Sequence, residues 1–222
     1  MSHLLSKLFP KSELSRIEAA VEEAETKTSG EIVPYVVEQS DHYEEAEWRA
    51  AALLGFLALI TFAAIHRLTT AWLPTDLAEV ALITLVAAGV GTLLVRFVAP
   101  IKRMFAGKHM DHRVHQRAAA AFVAEEVFNT RDRTGILIFI SLLEHRVLVL
   151  GDSGINAKVQ PSEWDDIVST VVTGIRTGKA TDGLVEAIRK CGALLQKGGV
   201  GIRPDDTNEL DDDLRVGDTQ RP

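Results

Sequence analysis

A single cysteine, Cys191, in 222 residues excludes an internal disulfide framework and any cysteine-rich zinc site. Aromatic residues make up only 6% of the chain, and 31 acidic against 24 basic side chains give a formal net charge of -7. Few stacking rings and an acidic balance together exclude nucleic acid as the expected partner. Seven prolines and sixteen glycines are too few for a collagen-like or low-complexity chain. The opening stretch MSHLLSKLFPKSELSR has no apolar run long enough for a secretory signal and no small-residue cleavage site, which predicts an amino terminus kept in the cytosol. Charge itself is missing from two long windows, 50–65 and 80–95, whereas the first 49 residues and the last 20 are densely acidic. The mean hydropathy of +0.09 averages these two materials, so a plain soluble globule is not the default expectation.

A bilayer core about 30 Å thick needs roughly 20 helical residues. The segment 46–66 supplies them with Glu47, Arg49 and His66 confined to its ends, and 77–98 supplies them again with Glu79 and Arg96 near the ends. A short turn holding Pro74 joins the two, with Trp72 near one interface and Trp48 near the other. Ala51 and Gly55, and likewise Ala87 and Gly91, are four residues apart, which gives each helix a small-residue stripe for close packing. The alternative is a buried helical pair inside a soluble core. Arg49, Arg96, Lys102, Arg103, Lys108 and Arg113 lie on the side shared by the outer ends, while the turn contributes only Arg67. The basic side therefore faces the cytosol, and the expected location is the cytoplasmic (inner) membrane with the polar segments on its cytosolic side.

The polar segments read as one interrupted domain. Residues 12–27 form an amphipathic helix, with Ser12 as candidate cap and Leu14, Ile17, Val21 and Ala24 at helical spacing. Residues 31–38 alternate as a strand, where Pro34 suggests an edge or a bulge. After the hairpin comes a helix over 111–128, carrying Val114, Ala118, Ala121 and Phe122 inward. An almost wholly apolar strand follows over 136–142, central and covered on both faces. Glu144 and His145 reverse the chain into a third strand, 146–150, and two helices complete the domain. The expected fold is α/β: a small mixed sheet between helices, interrupted by a two-helix transmembrane hairpin. The parts run 1–45, 46–98 for the hairpin, 99–200, and an acidic flexible tail over 201–222. That tail holds seven acidic and three basic residues, with Leu210 or Leu214 as candidate docking points.

The stretch TRDRTGILIFISLLEHRVLVLGDSGI, 130–155, resembles the strand pair of the TPM domain, and TSGEIVPYVVEQSDHY, 28–43, resembles its first strand. Trp164, the helix over 183–195 and the terminal Asn208-Glu209-Leu210 are similar to a bacterial branch with a transmembrane pair inserted after that strand. The resemblance implies a TPM-like fold. It implies either an auxiliary factor for membrane proteins or a metal-dependent acid phosphatase, since relatives are described as both, and others as calcium binders.

Candidate sites lie at turns and flanks. Asp132, Arg133 and Thr134 precede the central strand, and Asp152 and Ser153 follow the third. If these strands are antiparallel neighbours, both groups converge on one sheet edge. Carboxylates and hydroxyls there are candidates to hold calcium or magnesium, or to place a phosphate beside Arg133; ordinary turn capping and a surface ion pair form the alternative. The tetrapeptide Gly151-Asp152-Ser153-Gly154 matches the surroundings of a protease serine, but too few strands are expected for that fold. His109, His112 and His115 recur every three residues and invite a metal. Their basic surroundings, Lys102, Arg103, Lys108, Arg113 and Arg117, favour contact with lipid headgroups instead. The expected partners are thus the lipid bilayer and another membrane protein.

Overall fold

The computed structural model describes residues 3–68, 76–107, 109–202, 205 and 208–218. Two compact units emerge: His42–Asp111, and Met1–Asp41 together with His112–Pro222.

The second of these units is built on a four-stranded sheet. Helices α1 (His3–Leu8) and α2 (Lys11–Glu25) lead into strand β1 (Ile32–Val37). The chain next forms α3 (Glu44–Leu68), α4 (Leu77–Phe97), α5 (Ala99–Ala106) and α6 (His109–Ala124). The hairpin β2 (Ile136–Ser141) and β3 (Arg146–Gly151) follows, then α7 (Ser153–Asn156), α8 (Pro161–Arg176), α9 (Ala180–Lys197) and β4 (Arg215–Gly217). The sheet order is β3-β2-β1-β4, with β1 parallel to both β2 and β4, and β2 antiparallel to β3. This is the mixed sheet expected of an α/β domain.

All six residues of β1 and all six of β2 are buried, because both sheet faces are covered. Ile32, Val36, Ile136, Ile138 and Ile140 join a core supplied by α2, α8 and α9. Val33, Tyr35, Val37, Leu137 and Phe139 join a second core with Val114, Ala118 and Ala121 of α6. The rings of Tyr35 and Phe139 stack there with centroids 5.8 Å apart. The continuous apolar run of β2 thus marks a central strand, as expected.

Pro34 marks neither an edge nor a bulge. The carbonyls of Glu31 and Val37 accept from the β2 side, from Ile136 and Leu142, so alternation points the Pro34 nitrogen towards β4. Pairing with β4 begins only at Tyr35, and a missing N–H at position 34 breaks no bond there. Ser12 is likewise not a cap: α2 starts one residue earlier, after Pro10, whose ring carries no hydrogen-bonding group. The short α1 was not expected, and it delivers Leu5 to the core, with Phe9 just beyond it. The end of the chain docks at Leu214, one of the two candidate points, and is more ordered there than a flexible tail with a single docked residue. Leu214 is buried, β4 extends the sheet, and Arg215 pairs with Glu125 of the loop after α6.

In the other unit, α3 and α4 are 25 and 21 residues long, with mean hydropathy of 1.9 and 2.1 over their most apolar stretches. Only 11% of either stretch is buried, and Phe56, Ile60, Leu82 and Leu85 are among the large apolar side chains left exposed. The expected small-residue stripe is realised at Gly91, where a Cβ would lie 2.6 Å from the Ala50 carbonyl oxygen. Gly55 faces Thr84 and Ala88 at ordinary contact distance. Trp48 is exposed, whereas Trp72 and Pro74 of the turn lie outside the described residues.

Candidate functional site

The antiparallel pairing of β2 with β3 brings the two strand-end turns together, as the sequence suggests. Gly154 donates to the Arg133 carbonyl at 2.9 Å, and Asp152 donates to the Gly135 carbonyl at 2.9 Å. Arg133 holds a left-handed backbone, φ 57°, that turns its carbonyl towards this contact. The Asp152 carboxylate is buried and caps α7, with Oδ1 accepting from the Ser153 N–H at 2.6 Å. Its Oδ2 lies 2.8 Å from Arg133 Nε but accepts no aligned hydrogen bond, so charge rather than direction holds the pair. The Arg133 guanidinium also donates to the Phe128 carbonyl and lies over its ring. Thr134 is buried and donates to the Ser29 carbonyl at 3.4 Å, while Asp132 and Ser153 face solvent.

These groups do not fit a divalent cation. The one buried carboxylate is committed to a guanidinium and a helix cap, and the guanidinium would repel the ion. Turn chemistry accounts for them instead. Asp152→Ala should lower domain stability by about 1–2 kcal/mol, mostly through the lost cap, since Arg133 is half exposed and its ion pair is screened. Thermal unfolding beside Arg133→Ala, which should cost less, measures the two shares.

The row of basic residues is largely engaged within the protein. Lys102, expected at the lipid surface, is instead buried, with its amine 6.0 Å from the Tyr43 ring centre. Packing of α5 against the start of α3 explains this: Arg49 also donates to the Phe105 carbonyl. Arg103 is half-buried, and Lys108 lies outside the described residues. Arg113 pairs with Asp41 at 3.0 Å, and Arg117 donates to the Asp218 carbonyl at 2.6 Å. His112 and His115 are exposed on α6, and among the described residues no three His, Cys, Asp or Glu side chains stand as a metal-binding group. Glu144 is buried, accepting from the Ser40 N–H and from the Ser141 hydroxyl, and so ties the loop after β1 to the β2–β3 turn. Burial pushes the Cys191 thiol up to about 12, which makes it unreactive.

A different cluster is absent from the sequence reading. A pocket of about 280 Å³ opens where α2 ends, β1 begins and residues 208–212 cross them. Glu25, Glu31 and Asp212 line it, with Glu22 and Asn208 beside them. Glu25 accepts from the Ile32 N–H at 2.8 Å, and burial together with Glu31 pushes its carboxyl up to about 9. Glu31 accepts from the Glu209 N–H at 3.2 Å, and burial pushes it up to about 7. The only local trace of this pocket is that Glu25 and Glu31 flank the break Thr28-Ser29-Gly30. Their partner Asp212 is far away in the chain, beyond the reach of periodicity or motif.

Comparison with known proteins agrees with this architecture. A family profile described as TPM domain matches residues 98–194. An NMR structure of the BA42 protein from the psychrophilic bacterium Bizionia argentinensis aligns with 93% of this chain and 93% of its own, at a TM-score of 0.55 and 20% identity. That likeness is one of fold. No curated protein matches the chain.

Proposed function

We propose, from the premise that this chain carries a TPM domain, that it is a membrane-anchored factor which binds and helps maintain other membrane proteins without catalysing a reaction. One observation carries the reading: two long apolar helices, almost bare of protein cover, are inserted between β1 and β2 of the sheet. Helices meant for a soluble core would be covered on most sides; these expose aliphatic surface that suits hydrocarbon. Because the insertion sits inside the domain, both ends of the hairpin return to the same side of the bilayer. The basic flanks Arg49, Arg96 and Arg103 support a cytosolic setting for that side. A domain so anchored meets its partners at the membrane surface, which favours another membrane protein over a freely diffusing one. At the strand-end turns no observation favours the hydrolase alternative, because Asp152 is committed to Arg133.

Cysteine accessibility in intact cells tests the topology against a low background, since Cys191 is buried. A cysteine at position 12 should label only after the cytosolic side is exposed, and one at position 70 from the opposite side. Labelling of position 12 from outside would overturn the orientation. A screen of phosphomonoesters with calcium, magnesium and manganese tests the absence of catalysis, and turnover by the purified protein would replace the binding role with the hydrolase.

A further inference from the structure

We infer that a pocket enclosed by α1, α8 and the β2–β3 hairpin binds an anionic amphiphile with one chain, a free aliphatic carboxylate. Its tail enters the pocket and its head pairs with Arg176. The pocket has a volume of about 310 Å³, close to the lower bound of roughly 300–1,000 Å³ for small-molecule sites. Leu4 and Leu8 of α1, Val172 and Ile175 of α8, and Leu142 and Val147 of the hairpin form its walls. Such walls suit a flexible hydrocarbon chain.

Two observations point to an occupant of this kind. The first is the state of the walls. Helix α8 buries Ile167 and Val171 in the core, yet Val172 and Ile175 of the same helix are only half-buried, and Leu4 is 49% exposed. Apolar groups gathered around a concave space form a binding surface, unlike the scattered apolar exposure that is normal on a protein. The second is charge. His145, Arg146 and Arg176 line the pocket, and among the described residues no acidic side chain does. Glu144, beside them in sequence, is buried and held by Ser40 and Ser141. The exposed Arg176 side chain forms no hydrogen bond or ion pair among the described residues, so its guanidinium is open to a carboxylate, which it can take by two parallel bonds. One uncommitted guanidinium beside a cavity of this size matches one charge and one chain; a two-chain phospholipid would leave its second chain in water. This pocket differs from the acidic one at α2 and β1 in charge and in lining, and it lies at the other end of the sheet, where β2 turns into β3.

The test uses the full chain in nanodiscs of phosphatidylcholine, free of detergent, with dodecanoate carrying a photoreactive diazirine on its chain. Mass spectrometry reads which residues are labelled, so partition of the probe into the bilayer does not obscure the site. Saturable labelling on α1, α8 or the β2–β3 hairpin is the expected result, competed by unlabelled dodecanoate and far less by uncharged dodecanol. Arg176→Gln should lower labelling at subsaturating probe about fivefold or more, because it removes the charged partner of the head. Val172→Trp, which fills the pocket, should abolish it. Arg189→Gln, whose parent side chain pairs with Glu23 on the surface, should leave labelling unchanged. Circular dichroism confirms the fold of each variant, and Arg176 is exposed, so its variant stays decisive if Val172→Trp misfolds. Labelling confined to α3 and α4, or labelling that never saturates, would overturn the site. Undiminished labelling of Arg176→Gln, or dodecanol competing as well as dodecanoate, would overturn it equally. Loss of labelling when phosphatidylglycerol replaces part of the phosphatidylcholine would give the pocket to an anionic phospholipid and overturn the free carboxylate. The result is independent of the anchoring role, which the cysteine experiment reads separately.

Discussion

Gly135→Ala is expected to destabilise the sheet-bearing unit by about 3 kcal/mol or more, enough to remove much of the stability of an ordinary domain. A Cβ at this position would lie 2.0 Å from the Val127 carbonyl oxygen and 2.9 Å from its Cγ1. Neither neighbour yields easily. Val127 is fully buried in the core shared with α6, and Gly135 is itself pinned by the hydrogen bond that its carbonyl accepts from Asp152. Relief therefore demands that the backbone after α6 move away from the start of β2, and with it the strand-end turns that carry Arg133 and Asp152. Thermal unfolding with near-ultraviolet circular dichroism checks the prediction. An alanine variant within about 1 kcal/mol of the parent would mean that this close approach is not a constraint. Gly178→Ala provides the contrast: no atom stands within 4 Å of a Cβ there, so any cost comes from its backbone, φ 73°.

The second large effect is a dependence of stability on pH that runs opposite to acid denaturation. Glu25 and Glu31 titrate at about 9 and about 7 in the folded protein, against an ordinary value of 4.5. The folded state thus holds protons that the unfolded chain gives up between these values, and stability falls as pH rises through that interval. Below 4.5 both states are protonated and this contribution is fully present; it is lost progressively as pH climbs through 7 and on to 9. After discounting for the water that reaches an open pocket, the loss is on the order of 3 kcal/mol between mild acid and mild alkali. Chemical unfolding of the chelator-treated protein at a series of pH values measures it. Glu25→Gln with Glu31→Gln should flatten the profile and stabilise the alkaline end. An unchanged slope in that double variant would show that these carboxyls do not control it.

The legible parts of this fold are those that short-range pattern determines. The uninterrupted apolar run Ile136–Ile140 announces a strand covered on both faces, and the uncharged windows announce the two long helices. The antiparallel return of β3 follows from the tight turn at Glu144 and His145, and with it the meeting of Arg133 and Asp152. What escaped depends on partners far away in sequence. Pairing of Tyr35 with Arg215 makes β1 an interior strand, yet nothing near Pro34 signals a neighbour so distant. The same crossing of the chain end over α2 creates the pocket of Glu25, Glu31 and Asp212. Lys102 misled for another reason: a basic residue after an apolar helix reads as a headgroup contact, whereas this one is buried with its amine over the Tyr43 ring.

The position of β1 in the sheet also sets an order on biogenesis. Both of its neighbours come later in the chain, β2 beginning at Ile136 and β4 at Arg215. Roughly 100 residues separate Val37 from Ile136, so at elongation rates of about 5–20 residues/s the strand waits about 5–20 s for its first partner. For that interval both backbone edges, and the face of Val33, Tyr35 and Val37 that packs on α6, have no native cover, while the long apolar helices leave the ribosome. A nascent chain arrested before position 136 therefore presents a sticky strand, and the trigger for its burial is synthesis of β2 rather than delivery of the hairpin to its destination.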